Sequence, residues 1–74
     1  MNAGQARSIL VDLCDASGVS LDDVLSDTRK QPIARVRQTA YLRMRQSGAT
    51  LDNIARLMAR DPATIRHGIR KVAA

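Results

Sequence analysis

The chain has 74 residues, 45% of them hydrophobic, yet only one Tyr and no Trp or Phe. One small domain of this kind must build its core from Ile, Leu, Val, Met and Ala, which suits a helical bundle and not an aromatic-rich β-sandwich. Its net charge of +5 is unevenly placed: 1–27 holds one base and five acids (−4), 28–74 eleven bases and two acids (+9), an asymmetry that points to a polyanionic partner for the second half.

Along the chain, Ala6, Ile9, Leu10, Leu13 and Cys14 follow helical spacing. This first stripe ends at Gly18, a residue suited to the left-handed C′ position, with Val19 free to pack back. Ser20 reads as the N-cap of a short helix, LDDVL, whose Asp22 and Asp23 sit at its positive end. The stretch SDTRKQP has no apolar member and reads as a loop carrying Arg29 and Lys30 together. A helix is expected from about Ile33 to Ser47, with Ile33, Val36, Ala40 and Met44 on one face and a stop at Gly48. Leu42 falls off that face, so this helix should be covered on more than one side. Thr50 is the expected N-cap of LDNIARLM, where Leu51, Ile54, Ala55 and Met58 follow i, i+3, i+4, i+7. Pro62, suited to the first helical position, opens a last helix whose inner stripe is Ile65, Ile69 and Val72. Asp61 before it is well placed to cap. Neither repeat nor linker divides these elements, so 1–74 is expected to be a single domain.

The helices Leu51–Met58 and Pro62–Val72, three residues apart, form a helix-turn-helix pattern over about 51–72. Many helical proteins hold such a pair; the outer face of the second helix makes this one specific. With Ile65, Ile69 and Val72 inward, the outer arc is Ala63, Thr64, Arg66, His67, Arg70 and Lys71, with no acid in it. Small side chains near the N-terminal end let a helix sit deep in a major groove, where Thr64 and His67 reach base edges and Arg66, Arg70 and Lys71 reach bases or phosphates. No second His or Cys cluster exists to complete a metal site with His67, and its phase places it outside the core. Base contact and plain exposure remain its alternatives. Asp61 is a cap that can also accept from a cytosine amine.

From Val11 to Val72 the sequence resembles the C-terminal DNA-binding domain of DnaA, the bacterial replication initiator. GVSLDDVLS, IARVRQTA after a basic loop, TLDNIARLM and RDPATIRHGIRKV carry the likeness, in that order and at matching separations. The resemblance implies an all-α, Trp-repressor-like bundle in which a loop arginine enters the minor groove and the last helix reads the adjacent major groove. It places Arg29 at the minor-groove position, and Asp61, Thr64 and His67 at signature positions of the recognition helix. Arg37 and Lys71 fall at phosphate positions, and Lys30, Arg35, Arg60 and Arg70 complete the expected phosphate set, as Ala63 and Arg66 complete the base-facing set. At one point the sequence departs: the family's Asp-His-Thr-Thr is Asp61-Pro62-Ala63-Thr64 here, which removes two side-chain hydrogen bonds to DNA.

The expected function is therefore sequence-specific binding of double-stranded DNA, in a transcriptional or phage-type regulator or in a divergent replication initiator. No Gly-Lys-Ser/Thr phosphate loop occurs in the 74 residues, and the start at Met1 gives the expectation that nothing precedes it. A protein-interaction module is the reading from another class, with Asp12, Asp15, Asp22 and Asp23 docking a transcription or replication protein. Paired carboxylates, a Ser-His-Asp set and a metal cluster are all lacking, so neither an enzyme, a cofactor nor a small-molecule substrate is expected. Cys14 alone permits no internal disulfide and reads as a small buried hydrophobe. Without an apolar run of about 18 residues or a signal-peptide layout, a cytoplasmic, nucleoid-associated protein with no membrane partner is expected.

Overall fold

The apolar stripes become the inner faces of five helices. A computed structural model describes residues 3–73 as α1 (Ala3–Ser17), α2 (Leu21–Leu25), α3 (Ile33–Gln46), α4 (Leu51–Met58) and α5 (Pro62–Ala73). Among the described residues there is no strand, and no helix is long and apolar enough to cross a membrane. The helix α3 is central and packs against all four others. Ala6, Leu10, Leu13 and Cys14 of α1 are buried as their spacing predicts, joined by Val24, Val36, Ala40, Met44, Ala49, Ile54, Ala55, Met58 and Ile65. Burial pushes the Cys14 thiol up from its ordinary range, with Asp15 adding to the effect, so it stays a neutral core group.

Helix ends are set locally. Ser20 Oγ accepts from the Asp23 amide at 3.1 Å. Thr50 and Asn53 form a reciprocal capping box, with Asn53 N donating to Thr50 Oγ1 at 3.0 Å and Thr50 N to Asn53 Oδ1 at 3.3 Å. Pro32 precedes α3 and offers no side-chain cap; the Gln31 side chain accepts from Arg35 N instead, at 3.1 Å. At α5 the Thr64 amide donates to the backbone carbonyl of Asp61, at 3.0 Å. With Pro62 supplying no N–H, that first turn has fewer donors to satisfy.

Three helices stop by one device, a left-handed residue whose following amide reaches back to close the last turn. It ends α1 at Gly18 (Val19 N to Cys14 O, 3.2 Å), α3 at Gly48 (Ala49 N to Met44 O, 3.1 Å) and α4 at Ala59 (Arg60 N to Ala55 O, 2.9 Å). Only the third lacks glycine: Ala59 holds φ 55° in the turn between α4 and α5.

The second covered side of α3 is real but differently built than expected. Leu42 is half-buried, whereas Arg37 and Tyr41 are buried. On α5, Gly68 is buried beside Ile65, while Ile69 and Val72 are half-buried. A Cβ at Gly68 would meet Tyr41 Cδ2 at 2.8 Å and Cε2 at 2.9 Å, so α5 rests its backbone on the tyrosine ring.

Two substitutions should therefore act against ordinary helix propensity. Ala59→Gly should stabilise by about 1 kcal/mol, since the left-handed conformation costs an alanine about 1–2 kcal/mol and glycine's extra unfolded freedom offsets part of that. Gly68→Ala gains about 1 kcal/mol in propensity but meets the ring, and should destabilise by about 1 kcal/mol net. Urea midpoints measure both; an Ala59→Gly midpoint at or below wild type would contradict the first.

Candidate nucleic-acid interface

A five-residue helix leaves most of its carbonyls without intrahelical donors. The helix α2 has no basic residue in its last turn, and SDTRKQP offers no apolar anchor. One side chain of α3 resolves both problems. Arg37 Nε donates to Val24 O at 2.8 Å, Nη1 to Thr28 O at 2.9 Å, and Nη2 to Ser26 O at 2.9 Å and Asp23 O at 3.4 Å. Its fork thus caps α2 with positive charge at the helix's negative end and pins the loop that follows. Burial, and then the nearby Arg60 guanidinium, press the Arg37 cation below its usual range; the ring of carbonyls favours it.

Arg60, in the α4–α5 turn, reaches the same loop. Its Nη2 donates to Ser26 O, and Nη1 lies 3.7 Å from Asp27 Oδ1. Asp27 is fully exposed, so this ion pair is screened and contributes little. Within the loop, Ser26 Oγ donates to Asp23 O at 2.6 Å and accepts from Thr28 N at 3.3 Å, while Thr28 Oγ1 accepts from Lys30 N at 3.3 Å. The loop thereby holds Arg29 and Lys30 at the surface, both exposed.

Of the twelve residues expected to face DNA, ten are exposed: Arg29, Lys30, Arg35, Asp61, Ala63, Thr64, Arg66, His67, Arg70 and Lys71. Six of these form the outer arc of α5, as the helical phase predicts. The other two stand apart. Arg37 is 7% exposed and Arg60 has a side chain 17% exposed, and both spend guanidinium donors on backbone carbonyls inside the fold. The family resemblance places Arg37 at a phosphate position and Arg60 completes that set; neither shows that α2 and the loop need their donors. The signal available was the five-residue helix followed by a loop with no apolar anchor.

Tyr41 lies in the same cluster. It is 2% exposed and its hydroxyl has no hydrogen-bond partner; Arg60 Nε is likewise buried and unpartnered. Burial raises the Tyr41 pKa above its ordinary 10, with the Arg60 and Arg37 cations opposing. Among the described residues no group of three or more His, Cys, Asp or Glu is placed to hold a metal ion.

The tyrosine shift has a definite sign. A folded-state pKa above the unfolded value gives stability that is present in full below about pH 10 and lost as pH rises beyond it. Tyr41→Phe should flatten that alkaline loss and, by removing an unpartnered buried hydroxyl, stabilise at neutral pH by about 1 kcal/mol. Denaturant titrations at pH 7 and above pH 10 measure this, and Tyr41, the one tyrosine in a chain without Trp, reports its own ionisation by absorbance. Destabilisation of Tyr41→Phe at pH 7 would mean the hydroxyl does find a partner.

The sequence matches a family model described as the bacterial dnaA protein helix-turn-helix, over residues 6–72. It is also similar to the chromosomal replication initiator protein DnaA of Pseudothermotoga lettingae, with 31% identity over 67 residues. That stretch covers 89% of this chain and 15% of the relative's length. No solved structure matches the chain.

Proposed function

Because the chain belongs to the bacterial DnaA helix-turn-helix family, we propose that it is a sequence-specific double-stranded DNA-binding domain. One observation carries the reading: the exposed arc of α5 holds Arg66, His67, Arg70 and Lys71 with no acid, beside a basic loop tied to the same turn. The major groove admits a helix, and Ala63 and Thr64 at its start are small enough for close approach. Thr64, Arg66 and His67 face base edges, Ala63 offers a methyl to a thymine, and the unpartnered Asp61 carboxylate accepts from a cytosine amine. Arg29 enters the adjacent minor groove, and Lys30, Arg35, Arg70 and Lys71 contact phosphates. The cytoplasmic nucleoid is where such a domain meets its ligand.

Four or five neutralised phosphates give a log–log salt slope of roughly −4, at about −0.9 per phosphate. Arg29→Ala should lose affinity mainly on A·T-rich flanks, where the groove is narrow and its potential most negative. Titrations across salt and flank sequence check both. A flat salt response would sink the electrostatic footprint, and equal loss on A·T-rich and G·C-rich flanks would reduce Arg29 to a phosphate contact.

Pro62 and Ala63 point to a target other than the standard initiator box, and hence to a transcriptional or phage-type regulator. They keep the helix, which forms from Pro62 onward, but offer no side-chain hydrogen bond. The similarity to a chromosomal replication initiator supports the second reading, a divergent initiator domain. Two absent base contacts at about 1–3 kcal/mol each predict a loss of roughly one to four orders of magnitude on that box. Pro62→His/Ala63→Thr should recover much of it, as measured by binding to the box and to a site selected from random duplexes. Full wild-type preference for the initiator box would favour the initiator reading.

A further inference from the structure

Arg60 is a natural choice for a phosphate contact by charge, but its geometry gives it another task. It sits in the α4–α5 turn, one residue before Asp61 and two before α5, and its guanidinium donates across 34 residues of sequence to Ser26 O. That carbonyl also accepts from Arg37 of α3 at 2.9 Å. One loop carbonyl is thus gripped from two helical units: the scaffold helix and the turn that aims α5. Three residues on is Arg29, and the intervening Thr28 is fixed through Arg37 Nη1 to its carbonyl and Ser26 Oγ to its amide.

We infer that Arg60 is a positioning residue that sets the register between the minor-groove loop and the recognition helix, so the two groove readouts act as one unit. The inference rests on the proposed DNA reading. Arg37 ties the loop to α3, whereas Arg60 ties it to the turn before α5. A residue acting this way affects specificity through Arg29, whereas a phosphate contact affects all sequences alike.

The experiment uses Arg60→Met, which keeps an apolar stem, and Arg60→Lys, which keeps the charge but loses the planar fork. In the free protein, loop amides at Thr28 and Lys30 should exchange about tenfold faster in both variants, while α5 amides keep their protection. On DNA, both variants should lose the A·T-flank preference to the extent that Arg29→Ala does. Adding either to Arg29→Ala should cost little more, since both act on one contact. Arg60→Lys should hold the wild-type salt slope.

Unchanged loop exchange in both variants would overturn the inference regardless of DNA behaviour. So would a uniform affinity loss that adds fully to Arg29→Ala and is rescued by lysine, the pattern of a phosphate contact. If Arg29→Ala shows no flank dependence while the loop still loosens, the minor-groove reading fails and the structural tie stands. If Arg60→Met unfolds the domain, Arg60→Lys carries the same comparisons.

Discussion

The Ser26 carbonyl, held by Arg37 and Arg60 together, is the contact on which the exposed surface depends. Without it the segment between α2 and α3 has polar side chains, no apolar anchor and a charged pair, the composition of a mobile linker. Two forked cations give that segment a fixed conformation from inside. The desolvation of Arg37 is offset by the backbone carbonyls to which it donates, with Tyr41 and the Asp27 carboxylate also favouring its cation.

The position of α5 is settled from the other side of the same cluster. Tyr41 projects from α3 one turn after Arg37, and Gly68 lays the α5 backbone against its ring. Glycine in a helix interior costs about 1 kcal/mol against alanine. Here that cost secures a close approach that leaves Arg66, His67, Arg70 and Lys71 facing outward. The outer arc is thus a consequence of where Ile65 and Gly68 are buried.

The basic residues of the second half divide by solvation, not by sequence position. Lys30, Arg35, Arg66, Arg70 and Lys71 are exposed; Arg37 and Arg60 are enclosed and donate to backbone carbonyls of the loop. Arg45 lies between, exposed yet donating to Ala49 O at 3.1 Å at the end of α3. Charge counting overstates the electrostatic footprint of a small domain whenever its arginines also serve as caps.

Periodicity in the sequence determined the five helices, the apolar face of each, and the exposed arc of α5, because these follow from 3.6-residue spacing and from Gly and Pro at helix ends. Gly18, Gly48, Ser20, Thr50 and Pro62 all act where local chemistry directs them. Arg37, Arg60, Tyr41 and Gly68 were not legible in that way. A pattern of apolar and polar positions counts an arginine as outward and cannot register a donor that meets carbonyls 9 to 34 residues away. Nor does it distinguish a glycine that stops a helix from one that admits a ring. Local propensity fixes which residues form helices. Which polar groups are used inside depends on where distant carbonyls come to rest, and only the packed tertiary structure decides that.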